Sequence, residues 1–350
     1  MSESPSILVT GAAGFVGARV VERLHLSGKP VRAGVRRWSS ASRIARFPIE
    51  IVAADVLEPA SLDKAMVGIQ TVIHCAYGDR AVNERGTQNV LESARRAGVR
   101  RVVHVSTVEV YGATEGTIDE SHRLGAADGD EYGNSKANAE AMVAKFEGLE
   151  TVVVRPTVVY GPHGVYWTKA VADRLLAKDL KLAGFETGRC QPVYVDDLVT
   201  AILTASTQTA AVGQAFNIAG EEVVSWAGFF TAMAKAMGLE PIQEQSRRSA
   251  DVKVMLMRPI RSLALLVRDR FPGLVKLATR FEWSGRLAKK AEGKIKRSLT
   301  SGELDLYDRT AVYPIDKAKD LLGYVPAVSL ERGMELTALW LAHSGYNASR

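Results

Sequence analysis

A chain of 350 residues, 47% hydrophobic and 24% charged, can bury one large core or two modest ones, and it carries no low-complexity tract. Its net charge of +6 is concentrated: residues 247–297 hold 15 Lys/Arg against 4 Asp/Glu, so the rest is net negative and a nucleic-acid-binding body is not expected. Two cysteines, Cys75 and Cys190, are too few for a disulfide framework, and no run of about 18 apolar residues occurs, which excludes a membrane span and points to a reduced, cytoplasmic setting.

The polar lead before Ile7 lacks the marks of a secretory signal. Ile7-Leu8-Val9-Thr10 reads as a strand, Gly11-Ala12-Ala13-Gly14-Phe15-Val16-Gly17 as a Gly-rich turn, and Val20, Val21 and Leu24 as a helical stripe. Strand, glycine turn and helix in that order suit a dinucleotide. Gly11 permits the turn, Gly14 lets a pyrophosphate approach, and Gly17 allows helix and strand to close up, with the free N–H groups of the helix start facing the phosphates.

Residues 30–35 read as a second strand ending in Arg36-Arg37, where an acid would favour an unphosphorylated ribose. The two arginines favour a 2′-phosphate and hence NADP(H), with NAD(H) as the second option. A third strand over 49–55 carries Asp55 at its carboxyl end, placed either to accept from an adenine amino group or to cap the next turn. A helix over 62–67, a strand over 71–75 and the small stretch Cys75-Ala76-Tyr77-Gly78 follow. A helix opens near Asn83 and runs to Ala97. A fifth strand over 101–105 bears His104, read as a core residue, and delivers Ser106 and Thr107 at its end. A sixth strand covers 151–156. Strand and helix alternating at this spacing define an α/β fold, a Rossmann-type doubly wound parallel sheet.

Between the last two strands stands Tyr132-Gly133-Asn134-Ser135-Lys136. Residues four apart share a helix face, so phenol and ammonium point the same way. A nearby cation favours the phenolate and draws a tyrosine from its ordinary pKa of about 10 toward neutrality. With Thr107 on the preceding strand end, the pair can exchange a proton with a secondary alcohol.

These pieces resemble the extended short-chain dehydrogenase/reductases, the NAD(P)-dependent epimerase/dehydratase group with features of 3β-hydroxysteroid dehydrogenases. The matching residues are Thr10 to Gly17, Asp55, Asn83, Gly86-Thr87, Asn89, Ser106-Thr107, Tyr111-Gly112, Tyr132 to Lys136, Arg155-Pro156, Val193-Tyr194-Val195-Asp196-Asp197-Leu198 as a second-half strand and turn, Phe216-Asn217-Ile218, Lys317-Ala318, Leu322-Gly323-Tyr324 and Pro326. The resemblance implies that Tyr132 is the acid/base, that Lys136 lowers its pKa and holds the nicotinamide ribose, and that Thr107 bonds the reacting oxygen, with Ser106 beside it. It implies cofactor contacts from Gly11, Gly14, Phe15, Val16, Gly17, Arg36, Arg37, Asp55, Val56, Cys75, Ala76, Tyr77, Lys136 and Pro156, no metal, and a homodimer paired through helices near 87–97 and 132–146. Residues 1–165 are expected to form the NAD(P)-binding domain, with 190–220 returning to its sheet. Residues 166–189 and 221–350 are expected to form a smaller substrate-binding region.

The favoured function is an NADP(H)-preferring oxidoreductase or epimerase acting at a hydroxyl or ketone of a nucleotide-activated sugar. A steroid-type or lipid-linked ketone reductase or dehydrogenase is the alternative, and a non-catalytic NADP-binding scaffold or redox sensor is a third. Cys190 stands where nucleotide-sugar enzymes place a diphosphate-binding arginine, with Arg189 adjacent and Arg309 a displaced second candidate. Glu109 is a lone, displaced carboxylate, which argues against dehydration. The segment 246–300 departs most from the family pattern. Pro259, Ile260, Leu263, Ala264, Val267 and Phe271 form one helical stripe, and Leu274, Leu277, Ala278 and Phe281 form another, both among basic residues. A lid or packing face is the first reading of it, and peripheral membrane contact through 250–297 the second.

Overall fold

The computed structural model describes residues 6–125, 130–270, 293, 295 and 297–347. Its strands are β1 (Ile7–Thr10), β2 (Val31–Val35), β3 (Glu50–Ala53), β4 (Thr71–His74), β5 (Arg101–Val105), β6 (Glu150–Pro156), β7 (Val158–Tyr160), β8 (Arg189–Cys190), β9 (Pro192–Tyr194), β10 (Ala215–Ile218) and β11 (Val224–Ser225). Seven of them form one sheet in the order β10-β6-β5-β4-β1-β2-β3. Every pairing in it is parallel, with Thr10 opposite His74 and His74 opposite His104. A parallel strand covered on both faces needs no polar alternation, and all four residues of β4 are buried.

Helices α1 (Phe15–Leu26), α2 (Pro59–Ala65), α3 (Thr87–Arg96), α4 (Glu131–Lys145), α5 (Val171–Leu176), α6 (Val195–Ala205), α7 (Trp226–Ala236) and α8 (Arg247–Arg270) alternate with the strands or follow them. On one face of the sheet Leu8, Val72 and Val102 pack with Leu62 of α2, Val90 and Leu91 of α3 and Val143 of α4. On the other, α1 and α6 lie together. Arg19 of α1 is clamped by both carboxylate oxygens of Asp196 in α6, at 2.5 and 2.8 Å. Asp197 accepts from the Ala327 and Val328 nitrogens, each at 3.1 Å.

That last pair revises one expectation. Asp196 and Asp197 do not sit in a strand and turn; β9 passes directly into α6, whose first turn they occupy. The helix expected from Asn83 is likewise replaced at its start by a wide π turn, Val82–Gly86, ahead of α3. Asn83 explains the irregularity: its amide bonds both the nitrogen and the carbonyl of Gly78, each at 3.0 Å, and the Ser135 hydroxyl at 2.9 Å.

The chain divides into two compact units. The first comprises Met1–Gly164, Gln191–Val223 and Ala311–Gly333 and contains the sheet. The second comprises Val165–Cys190, Val224–Thr310 and Met334–Arg350. Residues Ala311–Gly333, which the sequence reading placed with 221–350, therefore belong with the sheet. The core of the second unit is aromatic: the buried Trp226 lies 4.8 Å from Tyr307 and 4.9 Å from Trp167, centroid to centroid. Of the two stripes read in 246–300, the first coincides with α8; Phe271 and the second stripe lie outside the described residues.

Candidate active site

The Gly-rich turn is built as its sequence demands. Gly11 takes a φ of +66°, and a Cβ there would lie 2.6 Å from the Ala76 nitrogen, so only glycine lets the loop turn while the segment after β4 passes this close. Gly14 caps α1 and has no side chain to occupy the N–H groups of the first turn, which Phe15, Val16 and Gly17 form. Those donors, at the positive end of a helix of 12 residues, suit a pyrophosphate. The chain's own residues thus fit a dinucleotide.

Arg36 and Arg37 leave the sheet directly after β2 and are exposed. A third cation, missed in the sequence, joins them. The 3-10 turn Trp38–Arg43 folds back so that Arg43, half-buried, donates to the Phe15 carbonyl at 3.4 Å. Burial draws its pKa down to about 10, with the Arg19 and Arg46 charges assisting and Glu22 opposing. Among the described residues no carboxylate forms an ion pair with Arg43. A partly desolvated guanidinium with no carboxylate bonded to it among the described residues is ready for an anionic ligand.

Asp55 uses one carboxylate oxygen to close its own turn, accepting from the Leu57 nitrogen at 3.0 Å; of its two expected roles, this is the capping one. Val56 is buried, and its carbonyl accepts from Asn89 at 2.9 Å. Cys75 and Ala76 are half-buried and Tyr77 is exposed. Burial pushes the Cys75 thiol up to about 12, so it is no nucleophile. Pro156, buried, ends β6.

The catalytic candidates come from two elements laid against each other. Thr107 caps the turn Val108–Tyr111, its hydroxyl oxygen accepting from the Glu109 nitrogen at 3.2 Å. That use leaves the hydroxyl proton to be given. Asp130 caps α4 through the Gly133 nitrogen at 2.6 Å. A Cβ on Gly133 would meet the Glu109 carbonyl at 2.5 Å, so the start of α4 rests on the turn that Thr107 begins. Ser106 has a buried hydroxyl with no hydrogen-bond partner among the described residues.

On α4, Tyr132 is 36% exposed and Lys136 is 1% exposed. The Tyr132 hydroxyl makes no hydrogen bond among the described residues. Burial of the phenol, with Tyr77, Glu109 and Asp130 nearby, raises its pKa above the ordinary tyrosine value. The expected depression by Lys136 is not expressed in the chain by itself. The Lys136 ammonium instead donates to the Val105 carbonyl at 2.7 Å and to His104 Nε2 at 3.4 Å. Burial lowers its pKa to about 8, against the pull of Glu140 and Cys75.

Behind this pair lies a locked anchor. Arg155 grips Glu140 of α4 at 2.7 Å and donates to the Tyr111 hydroxyl at 2.8 Å, and Tyr111 donates to Asn217 at 2.7 Å. The motif residues Tyr111, Arg155 and Asn217 therefore brace the two catalytic elements. In the second unit, Cys190 is buried, and the Arg189 nitrogen bonds the Arg309 carbonyl at 2.7 Å, which makes the two arginines main-chain neighbours.

A nucleotide-ready helix start, a sheet in this order and a Thr–Tyr–Lys set define an NAD(P)-dependent oxidoreductase or epimerase. The chain belongs to the NAD dependent epimerase/dehydratase family, whose profile matches residues 7–219, more than half of its length. It is similar to a 2-alkyl-3-oxoalkanoate reductase of Shewanella oneidensis, 26% identical over 93% of this chain and 84% of the relative. A 4-hydroxy-2-methyl-3-oxo-4-farnesyl-3,4-dihydroquinoline-1-oxide ketoreductase of Stigmatella aurantiaca is 26% identical over 93% of this chain and 94% of its own. A UDP-glucose 4-epimerase of Vibrio cholerae is 30% identical over 66% of this chain and 76% of its own. Among solved structures, gox2253 shares the fold with a TM-score of 0.75 and 22% identity, covering 98% of this chain and 100% of its own. MoeE5 in complex with UDP-glucose and NAD shares it with a TM-score of 0.68 and 22% identity, covering 97% and 99%. The chain is accordingly an enzyme of the extended short-chain dehydrogenase/reductase type, and no helix among its described residues is long and apolar enough to cross a membrane.

Proposed function

We propose that this enzyme is an NADPH-preferring reductase of a ketone carried on an apolar, lipid-like skeleton. The observation that carries the reading is that Tyr132 stands one helical turn from buried Lys136, on a helix whose start rests on the Thr107 turn, with surroundings that raise rather than lower the phenol pKa. A protonated phenol is a proton donor, which suits reduction. The dinucleotide, when bound, supplies hydride exchange at the carbonyl carbon. Tyr132 hands its proton to the carbonyl oxygen, Thr107 donates a hydrogen bond to the same atom, and the remaining Lys136 donor holds the nicotinamide ribose. Arg36, Arg37 and Arg43 take the 2′-phosphate, the α1 start takes the pyrophosphate, and Asp55, Val56, Cys75, Ala76, Tyr77 and Pro156 line the rest.

Cys190 in place of an arginine favours an apolar substrate, as do the activities of two relatives similar over 93% of this chain. A nucleotide-activated sugar is the second reading, supported by the adjacency of Arg189 and Arg309. Two copies are proposed to pair through α3 and α4. The test is NADPH oxidation with a long-chain 3-oxo ester and, separately, incubation of UDP-glucose with NAD+ or NADP+, followed for cofactor reduction and for an epimerised sugar product. Turnover is expected with the ester; Tyr132→Phe should lower it about 10²–10⁴-fold with NADPH affinity unchanged. Equal turnover by the variant, or conversion of UDP-glucose alone, would overturn the assignment.

The outward face of α8 extends this reading. Val252, Met255, Leu256 and Ile260 are 50, 75, 62 and 47% exposed. At 100° per residue they fall on one arc with Pro259 and the exposed Arg248, bordered by the exposed Lys253 on one side and by the exposed Asp251 and Arg258 on the other. Apolar side chains edged by cations match an anionic lipid surface. Sedimentation with phosphatidylglycerol vesicles should be lost in Leu256→Glu and weakened by salt; binding that ignores both changes counts against membrane contact.

A further inference from the structure

Lys136 lies among more titratable groups than the reaction uses. His74 on β4 and His104 on β5 occupy paired positions of neighbouring strands, both buried, with ring centroids 5.3 Å apart. Their hydrogen bonds fix the tautomers. The Thr87 hydroxyl donates to the Asn83 carbonyl at 2.6 Å, so its oxygen is left to accept from His74 Nε2 at 3.2 Å. His74 Nδ1 then accepts from the Thr10 hydroxyl at 2.7 Å. At His104 the order is reversed. An ammonium only donates, so His104 Nε2, 3.4 Å from Lys136 Nζ, is the bare nitrogen and Nδ1 bears the proton. That Nδ1 has no hydrogen-bond partner among the described residues.

An imidazole whose only side-chain hydrogen bond among the described residues is to a buried ammonium is costly to place in a core position that valine or leucine could fill. The other groups facing Lys136 do not replace it. Glu140, one turn along α4, is engaged by Arg155 of β6. Cys75 beyond β4 keeps its thiol proton, pushed up to about 12, and Tyr132 keeps its phenol proton.

We propose that His104 is a positioning residue: its bare Nε2, together with the Val105 carbonyl, anchors the Lys136 ammonium against the sheet and leaves one N–H for a ligand. The imidazole supplies an acceptor without supplying a charge. A carboxylate there would hold the lysine fully ionised, and an aliphatic side chain would strand one of its donors. Burial and the Lys136 charge keep both histidines neutral, with His74 down to about 3 and His104 well below its ordinary value, so the arrangement persists across the working pH range.

The proposal rests on Lys136 belonging to the active site, yet its test uses cofactor-free protein and no turnover. In protein labelled with ¹³C at lysine Cε, the Lys136 signal is identified as the one missing from Lys136→Arg. Its midpoint is expected near 8 in the wild type. It should fall by roughly half a pH unit or more in His104→Leu, stay close to wild type in His104→Gln, and rise in His104→Glu. A purely structural histidine predicts no such ordering, and the same midpoint in folded His104→Leu and wild type overturns the proposal. Where the variants do not fold, ¹⁵N shifts of wild-type His104 decide: Nε2 unprotonated from pH 5.5 to 7.5 is expected (roughly the span in which a free imidazole titrates), and a protonated Nε2 refutes it. Loss of turnover in Lys136→Arg is a separate matter and tests only the proposed reaction.

Discussion

Two buried cations, Lys136 and Arg155, sit at 1% and 5% exposure around the same helix, and the protein treats them oppositely. Arg155 is given a carboxylate: Glu140 holds it at 2.7, 2.9 and 3.2 Å, and the pair raises its pKa despite burial. Lys136, one turn away, is given only a carbonyl and an imidazole among the described residues, and burial draws it down to about 8. The first arrangement neutralises charge where only cohesion is needed. The second leaves charge uncompensated where an anionic or hydroxyl-bearing ligand is to be met. A buried ion pair therefore marks the scaffold here, and the buried cation without one marks the site.

If that division is right, Lys136→Met should lower turnover about 10²–10⁴-fold while the melting temperature holds or rises, because a desolvated charge is removed. A large fall in melting temperature would erase the distinction between the two cations. Glu140→Gln should do the reverse first: stranding Arg155 costs about 3–5 kcal/mol in urea unfolding, with any loss of activity secondary to it. A change within about 0.5 kcal/mol would mean that Arg155 is hydrated after all.

The smallest effect is in the pH dependence of stability. Lys136 has a folded pKa near 8 and an ordinary value of 10.5. Across that window the unfolded chain binds the extra proton, so stability contributed through this group rises with pH. The stability of wild type relative to Lys136→Met should therefore increase between about pH 8 and 10.5. A relative stability that is flat or falls over the same window would show that the ammonium is already compensated.

Much of this was readable in one dimension. The glycine turn, six sheet strands and the Tyr132/Lys136 spacing are local, since each depends on residues a few positions apart. What escaped depends on register or on folding back. His104 read as a core residue, and it is one by burial. Its partnership with Lys136 appears only when α4 is laid over the end of β5. Arg43 was passed over because a 3-10 turn, invisible to hydrophobic periodicity, returns it to Phe15. Asp196 and Asp197 were expected in a strand and turn. No glycine or proline separates β9 from α6, and the bonds from Asp196 to Arg19 and from Asp197 to Ala327 and Val328 come from distant segments.

The return of β10 to the edge of the sheet sets a timetable for synthesis. A chain made from its N-terminus has β6 in hand roughly 60 residues before β10, about 3–12 s at ribosomal speeds of about 5–20 residues per second. For that interval the flank of β6 that will receive β10 is an unpaired strand edge, and for its first part Arg19 has no Asp196 to meet. The nascent nucleotide-binding half must therefore either wait unfolded or be shielded until Ile218 has left the ribosome.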